Sequence, residues 1–153
     1  MKNIAILYNA TLGNEQKKLA NKLSSVLKKA KYKTRLVPIR TDVDTDEFIR
    51  TTHPNLCQMI LSVNMAGYNL LSTDSAPSLN HLTINIVNYI EFPADIFDVL
   101  FDMRLIYTMS FLFSTKENTD YIKKNHPSLR HVYHAPHIEE YLPVYLAELD
   151  WRY

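Results

Sequence analysis

Short apolar runs, each bounded by polar residues, glycine or proline, recur along the chain. Runs of this length and composition are typical of buried strands in an α/β sheet. Pro38 lies within the second run, and it places that strand at a sheet edge or close to the strand's end. The predicted strands cover residues 4–8, 34–39, 56–63, 82–89, 106–113 and 131–134.

Between these runs, apolar residues recur at the three- and four-residue spacing of an amphipathic helix. The first helix carries lysines on its other face, which we interpret as a solvated face, and Asn14 is its predicted N-cap. Thr45 or Asp46 is predicted to cap a short second helix, and Ser114 or Thr115 to cap a later one. Residues 96–101 are predicted to form a short helix or an irregular docking segment. The other predicted helical segments cover residues 15–31, 46–53, 115–125 and 138–149.

Strands and helices alternate throughout, which predicts the α/β class with a mainly parallel sheet. The stretch 56–93 is the centre of this pattern. It contains two apolar runs, and each run is followed by polar residues that include glycine or proline. Such a pair is typical of the middle of an open sheet. In these sheets ligands bind outside the carboxyl ends of the strands.

Length and composition narrow the function classes. The chain has 153 residues, which predicts a single domain spanning residues 1–153. Hydrophobic residues make up 46% of the chain, a value typical of a globular protein. With a formal net charge of +1 and no dominant basic stripe, the sequence does not suggest nucleic-acid binding by bulk electrostatics. We find no signal peptide and no membrane span in the sequence, so we expect a soluble cytoplasmic protein.

Cys57 is the one cysteine of the chain. A single cysteine excludes an internal disulfide and a cysteine zinc site. Its position inside an apolar run predicts a buried, inert thiol, because reactive cysteines need an accessible, electropositive setting.

The segment 9–15 follows the first strand and slightly resembles the hydroxyl-rich phosphate loop of flavodoxins. Backbone N–H groups at a helix N-terminus can hold a phosphate. However, Leu12 and Glu15 occupy places where that loop has hydroxyl groups, and a carboxylate repels phosphate. We therefore favour a capping turn over a flavin site and predict no cofactor.

Three histidines at steps of three, His131, His134 and His137, invite a metal interpretation, with His126 nearby. Residues three apart in a strand point to opposite faces of the sheet, which opposes a shared metal ion. The acidic turn 42–46 lacks the glycine and the terminal glutamate of a calcium loop. We predict no metal site.

Polar residues follow several predicted strands and should gather along one rim of the sheet. The alternative is ordinary loop polarity. A general base at this rim needs a carboxylate or a histidine, and Glu91, Asp95 and His137 are the candidates. The polar residues at strand ends are Asn64, Tyr68, Asp74, Asn80, His81, Glu91, Asp95, Ser114 and His137.

Four segments, 60–68, 86–93, 118–127 and 132–137, together resemble the N-terminal half of a bacterial glycosyltransferase family. This family is of the two-Rossmann-domain (GT-B) type and is related to spore-maturation-protein glycosyltransferases. The segments carry an asparagine-and-glycine turn after a strand, a strand ending before proline, a Tyr-Ile-Lys helix ending before proline, and a Pro-His turn. The family commonly has Asp-His-Pro where this chain has Glu91-Phe92-Pro93, so Phe92 replaces the histidine. Ile138 replaces a glycine of the family.

The resemblance implies a Rossmann-like three-layer sandwich that serves as the acceptor-side domain of a sugar-nucleotide-dependent glycosyltransferase. The sugar nucleotide would bind a C-terminal domain that is missing here, so we expect the isolated chain to be inactive. Because Phe92 replaces the histidine, we expect a binding rim rather than a catalytic centre. Gly67 would allow close backbone approach, and tyrosines could stack on sugar rings. The residues expected to bind a sugar or glycan acceptor are Asn64, Gly67, Tyr68, Glu91 and His137.

Two alternatives stay open. One is a stand-alone flavodoxin-like interaction or regulatory module without transferase activity. The other is a flavin-binding electron carrier, which a yellow purified protein would support.

Overall fold

The computed structural model describes residues 2–52, 56–68, 85–102 and 109–149. The predicted α/β class is confirmed, with strands and helices alternating along the chain. A 3-10 turn, Ala94–Phe97, precedes the third helix. The strands are β1 (Asn3–Asn9), β2 (Lys33–Ile39), β3 (Met59–Val63), β4 (Asn85–Ile90), β5 (Ser110–Phe113) and β6 (His131–His134). The helices are α1 (Asn14–Lys29), α2 (Asp42–Thr51), α3 (Asp98–Phe101), α4 (Lys116–Asn125) and α5 (Ile138–Glu148).

The six strands form one sheet in the order β2-β1-β3-β4-β5-β6, and every neighbouring pair is parallel. Strand β2 lies at an edge of this sheet, as Pro38 predicts. The chain steps outward from β1 to β2, then crosses back to β3 and continues in the other direction. The direction of winding therefore reverses between β1 and β3, where open α/β sheets form their ligand crevice.

Two hydrophobic cores lie on the two faces of the sheet. Alternate residues of each buried strand point to opposite faces. In β3, for example, Met59, Leu61 and Val63 pack with α1 and α5, whereas Ile60 packs on the face covered by α2, α3 and α4. The arrangement is a Rossmann-like three-layer sandwich.

The helix caps follow the sequence only in part. Thr115 caps α4 as predicted, because its hydroxyl accepts the N–H of Asn118. The predicted cap of α2 at Thr45 or Asp46 is wrong. Thr41 caps that helix through the N–H of Val43, and the longer helix buries Thr45 in its second turn.

Helix α1 begins at Asn14, so the predicted cap at that residue is also wrong. Gly13 is the N-cap, and its φ of 91° is a conformation that glycine adopts without strain. The predicted strand residues 82–84 and 106–108 lie outside the described residues, as do the strand-end candidates Asp74, Asn80 and His81. No helix within the described ranges is long and apolar enough to cross a membrane.

Candidate functional site

A strained turn ends β3 at the centre of the sheet. Asn64 and Met65 have φ values of 50° and 60°, and the N–H of Ala66 donates to the carbonyl of Val63 over 3.1 Å. Positive φ at both central residues is the feature of a type I′ turn, which asparagine tolerates and methionine does not favour. Gly67 follows with a φ of 91°, a position that suits glycine. Backbone strain of this kind often marks a functional site.

The buried side chain of Asn64 joins three parts of the fold. Its Oδ1 accepts the backbone N–H groups of Glu91 (2.7 Å) and Phe92 (3.1 Å) after β4. Its Nδ2 donates to Oε1 of Gln16, a buried residue in the first turn of α1. Because backbone N–H groups only donate, they fix which amide atom of Asn64 is the oxygen. Asn64 therefore connects the ends of β3 and β4 to α1.

Asn118 holds the same segment from the other side. Its Oδ1 accepts the N–H of Ala94 over 3.0 Å, and its Nδ2 donates to the carbonyl of Phe92 over 2.9 Å. Residues 91–94, which we call the 91–94 loop, are thus held by Asn64 on one side and Asn118 on the other. Asn118 was not among the predicted site residues, although it lies in a segment that carries the family resemblance.

Glu91 presents an exposed carboxylate at this loop. The hydroxyl of Tyr89 donates to its Oε2 over 3.0 Å. Burial raises the pKa of Tyr89, and the neighbouring Glu91 carboxylate raises it further, so the phenol remains a hydrogen-bond donor at neutral pH. Tyr89 packs with α1 and α5, which places the Glu91 carboxylate on that side of the sheet.

An ion pair between α1 and α5 lies near Glu91. Nζ of Lys22 is 2.6 Å from Oε1 of Glu139, and both side chains are about half exposed, at 51% and 54%. The pKa of Lys22 is raised, first by its hydrogen bond to Glu139 and further by the charge of Glu91. Lys22 therefore lies within electrostatic reach of both carboxylates. The lysine pattern of the first helix predicts a solvated face for Lys22, and nothing in the local pattern indicates the contact with α5.

Tyr68 is buried and does not lie on the surface of the rim. Its hydroxyl donates to Oδ1 of Asn88 over 2.8 Å, and Nδ2 of Asn88 donates to the carbonyl of Ser110 over 3.0 Å. Burial raises the pKa of Tyr68. Tyr68 thus anchors the turn after β3 in the core. Direct contact of its ring with a sugar stays a prediction.

The three candidate bases do not meet. Asp95 is exposed in the 3-10 turn and contributes to the raised pKa of Tyr121, which packs on the α2, α3 and α4 face. Glu91 lies on the opposite face. His137 is exposed at the N-cap of α5, next to the end of β6. Since β5 separates β4 from β6, His137 follows a strand about 10 Å from that of Glu91.

The histidines of β6 are exposed at the two ends of the strand. No group of three or more histidine, cysteine, aspartate or glutamate side chains suited to a metal ion occurs in the described ranges.

His126, by contrast, is buried between α3 and α4. Its Nε2 lies 2.7 Å from Oδ1 of Asp98, and its Nδ1 lies 3.1 Å from Oδ1 of Asp102. Tyr121 donates to the other oxygen of Asp98 over 2.7 Å. These contacts hold α3 against α4, the helix that supplies Asn118 to the 91–94 loop.

Comparisons of the chain with models of known protein families, with curated proteins and with solved structures found no match.

Proposed function

We propose that the chain is the acceptor-side N-terminal domain of a sugar-nucleotide-dependent glycosyltransferase, and that the 91–94 loop binds the acceptor. The observation that carries this proposal is the meeting of three segments that share the family resemblance. The turn 60–68, the strand end 86–93 and the helix 118–127 converge on this loop through the side chains of Asn64 and Asn118.

The free hydrogen-bonding groups of the rim are mainly acceptors, so they favour a ligand that has hydrogen-bond donors. The N–H groups of Glu91, Phe92 and Ala94 are already bonded to asparagine oxygens. The exposed groups that remain include the carboxylates of Glu91 and Glu139, and Lys22 is paired with the latter. Carboxylates only accept hydrogen bonds, so hydroxyl groups of a sugar complement this rim better than phosphate groups do.

Of the three candidate bases, Glu91 is the one at the proposed acceptor rim, and it would act only in a complete enzyme that also has the donor domain. In the proposed reaction, an acceptor hydroxyl attacks the anomeric carbon of the donor sugar, and the nucleotide leaves. Glu91 would accept the hydroxyl proton, with Tyr89 orienting its carboxylate. His137, on the same side of the sheet, and Asp95, on the other, are the remaining candidates for this role.

An NMR titration with a panel of methyl glycosides tests the proposal. Saturable amide shifts are expected at Asn64, Glu91 and Phe92. Glu91→Gln should weaken the binding about tenfold, since it removes a charge-assisted hydrogen bond. Glu140→Gln is the matched control, because Glu140 is an exposed carboxylate in the same first turn of α5 as Glu139.

Absence of binding by every glycoside, or shifts confined to other surfaces, would contradict the acceptor site. Sugar nucleotides should bind the isolated chain weakly, because the proposal assigns the donor to a C-terminal domain. Tight binding of a sugar nucleotide here would overturn that assignment.

The strand order favours a second candidate, a flavodoxin-like interaction or regulatory module. The order β2-β1-β3-β4-β5 is that of flavodoxin-like sheets, whereas the common dinucleotide-binding order is 3-2-1-4-5-6. Binding of neither glycosides nor sugar nucleotides would favour this module. Quenching of FMN fluorescence on addition of the protein would instead support the electron carrier.

A further inference from the structure

A cavity of about 170 Å³ lies at the amino ends of β1 and β2, at the opposite end of the sheet from the 91–94 loop. We call it the amino-end cavity. The starts of β1 and β2, the C-terminal end of α2, and Leu56 and Cys57 before β3 form its walls. The residues on which its chemistry depends are Asn3, Lys33, Arg35, Thr51, Thr52 and Cys57.

The two threonine hydroxyls already donate their protons to the end of α2. Thr51 Oγ1 donates to the carbonyl of Glu47 over 2.9 Å, and Thr52 Oγ1 donates to the carbonyl of Phe48 over 2.5 Å. The bond from Thr52 satisfies the carbonyl of Phe48, one of the last four carbonyls of α2, which have no partner within the helix. The cationic side chains of the cavity are therefore not needed to satisfy these carbonyls.

Lys33 and Arg35 give the cavity a positive potential. They lie two residues apart in β2, so both point to the face covered by α2. The guanidinium of Arg35 stacks 5.5 Å from the ring centroid of Phe48, which restrains its position. Neither cation forms a salt bridge within the described residues, and the described lining includes no aspartate or glutamate. Two unneutralised cations in a concave site attract an anion.

Cys57 contributes a neutral thiol to this cavity. Its Sγ donates to the carbonyl of Met59 over 3.1 Å, and burial raises the pKa of the thiol. Backbone hydrogen bonds and the charge of Arg35 act in the opposite direction but are smaller. The sequence prediction of a buried cysteine is confirmed. A neutral thiol does not repel an anion bound beside it.

We propose that the amino-end cavity binds a compact oxyanion, namely a phosphate, sulfate or carboxylate group, between Arg35 and Lys33. The guanidinium of Arg35 offers paired N–H donors that match the geometry of such a group. The volume of the cavity is below that of pockets for drug-sized ligands, about 300–1,000 Å³, so the bound group itself is small.

An NMR titration of the folded chain with inorganic phosphate, at constant ionic strength, tests this proposal. Saturable amide shifts are expected at Asn3, Arg35 and Cys57. Arg35→Gln should weaken phosphate binding on the order of tenfold. Lys29→Gln, at an exposed position in the last turn of α1, is the control and should leave the affinity unchanged. Shifts that do not saturate, or that persist in Arg35→Gln, would overturn the proposal.

A second variant keeps the proposal testable if Arg35→Gln disturbs the fold through its contact with Phe48. Lys33→Gln leaves that contact intact and should also weaken phosphate binding; unchanged binding would overturn the pairing of the two cations. Glucose 6-phosphate and glucose then distinguish the sources of the anion. Tighter binding of glucose 6-phosphate than of phosphate indicates the terminal group of a larger ligand, and equal binding indicates the free ion. Binding of glucose in the cavity would contradict an anion site.

Discussion

Asn64 shows how one side chain determines a turn and a neighbouring loop together. It occupies a left-handed backbone conformation that asparagine tolerates, and its buried amide bonds to Gln16, Glu91 and Phe92. We expect Asn64→Ala to reduce the free energy of unfolding by about 3 kcal/mol. Two backbone N–H groups lose their acceptor, and alanine is less favourable at positive φ. Urea unfolding followed by circular dichroism measures this loss.

The matched variant is Asn64→Asp. A carboxylate retains an oxygen for both backbone N–H groups, and the amide of Gln16 can turn to donate to the other oxygen. We expect a loss of about 1 kcal/mol or less. Equal losses for the two variants would show that the backbone acceptor is not what makes Asn64 important.

Tyr68 and Asn88 form a buried polar pair whose partners depend on each other. We expect Tyr68→Phe to reduce the free energy of unfolding by about 1–3 kcal/mol, because Oδ1 of Asn88 loses its donor in the core. Thermal and urea unfolding report this difference. A loss below about 0.5 kcal/mol would mean that the hydroxyl bond contributes little to stability.

The contacts of Asp98 predict a pH dependence of stability. Hydrogen bonds from His126 and Tyr121 hold the pKa of the Asp98 carboxyl below its ordinary value. A lowered folded-state pKa stabilises the protein above the unfolded value of about 3.9, and this stabilisation is lost as pH falls through the folded value. Because Asp98 is well exposed, we expect Asp98→Asn to cost at most about 1 kcal/mol near neutral pH.

Urea unfolding of the wild type and Asp98→Asn between pH 7 and pH 3 measures this dependence. The difference between the two proteins should shrink as pH falls below about 4. A difference that stays constant across this range would exclude ionised Asp98 as its source.

At the scale of elements, α4 stabilises a loop that belongs to β4. Asn118 bonds to Phe92 and Ala94, so Asn118→Ala should speed hydrogen exchange of the Ala94 amide. Loss of these two side-chain bonds should also cost about 1–3 kcal/mol. Asn125→Ala removes an exposed amide from the same helix and is the control. Equal exchange rates at Ala94 in the two variants would contradict a specific role for Asn118.

The elements follow from local patterns, whereas most contacts of the site do not. Apolar runs predict the strands because a buried strand needs apolar side chains on both faces, and Thr115 caps α4 through a bond three residues away. The cap of α2 was misplaced because several hydroxyl and acidic residues compete over a short stretch. The ion pair of Lys22 and Glu139 joins residues far apart in sequence. Only the packing of α1 against α5 brings them together.

The predicted rim residues, too, were only partly predictable from the sequence. Asn64 and Glu91 do meet, because β3 and β4 are neighbours and parallel strands bring their carboxyl ends to one edge. Tyr68, which was expected at the acceptor-binding rim, is buried. The direction in which the turn points this ring depends on the positive φ values before it. The hydroxyl of Tyr68 bonds to Asn88, 20 residues away, and no local spacing encodes this contact.

At the scale of the whole molecule, the sheet separates two differently charged ends. The carboxyl-end rim presents Glu91 and Glu139, whereas the amino-end cavity presents Lys33 and Arg35. Strand β1 has seven residues, so the two ends lie about 20 Å apart. Ligands with hydrogen-bond donors, such as sugars, are expected at the carboxyl-end rim, and oxyanions are expected at the amino-end cavity.

These two sites should bind their ligands independently, because the described part of the parallel sheet and its packed helices includes no element between them with two evident arrangements. A saturating methyl glycoside should change the phosphate affinity by less than about twofold. Glu91→Gln should leave phosphate binding unchanged, and Arg35→Gln should leave glycoside binding unchanged. Paired NMR titrations measure both affinities in the same sample. A change of phosphate affinity beyond about fivefold on glycoside binding would show that the two ends are coupled, and the sheet would then transmit a conformational change.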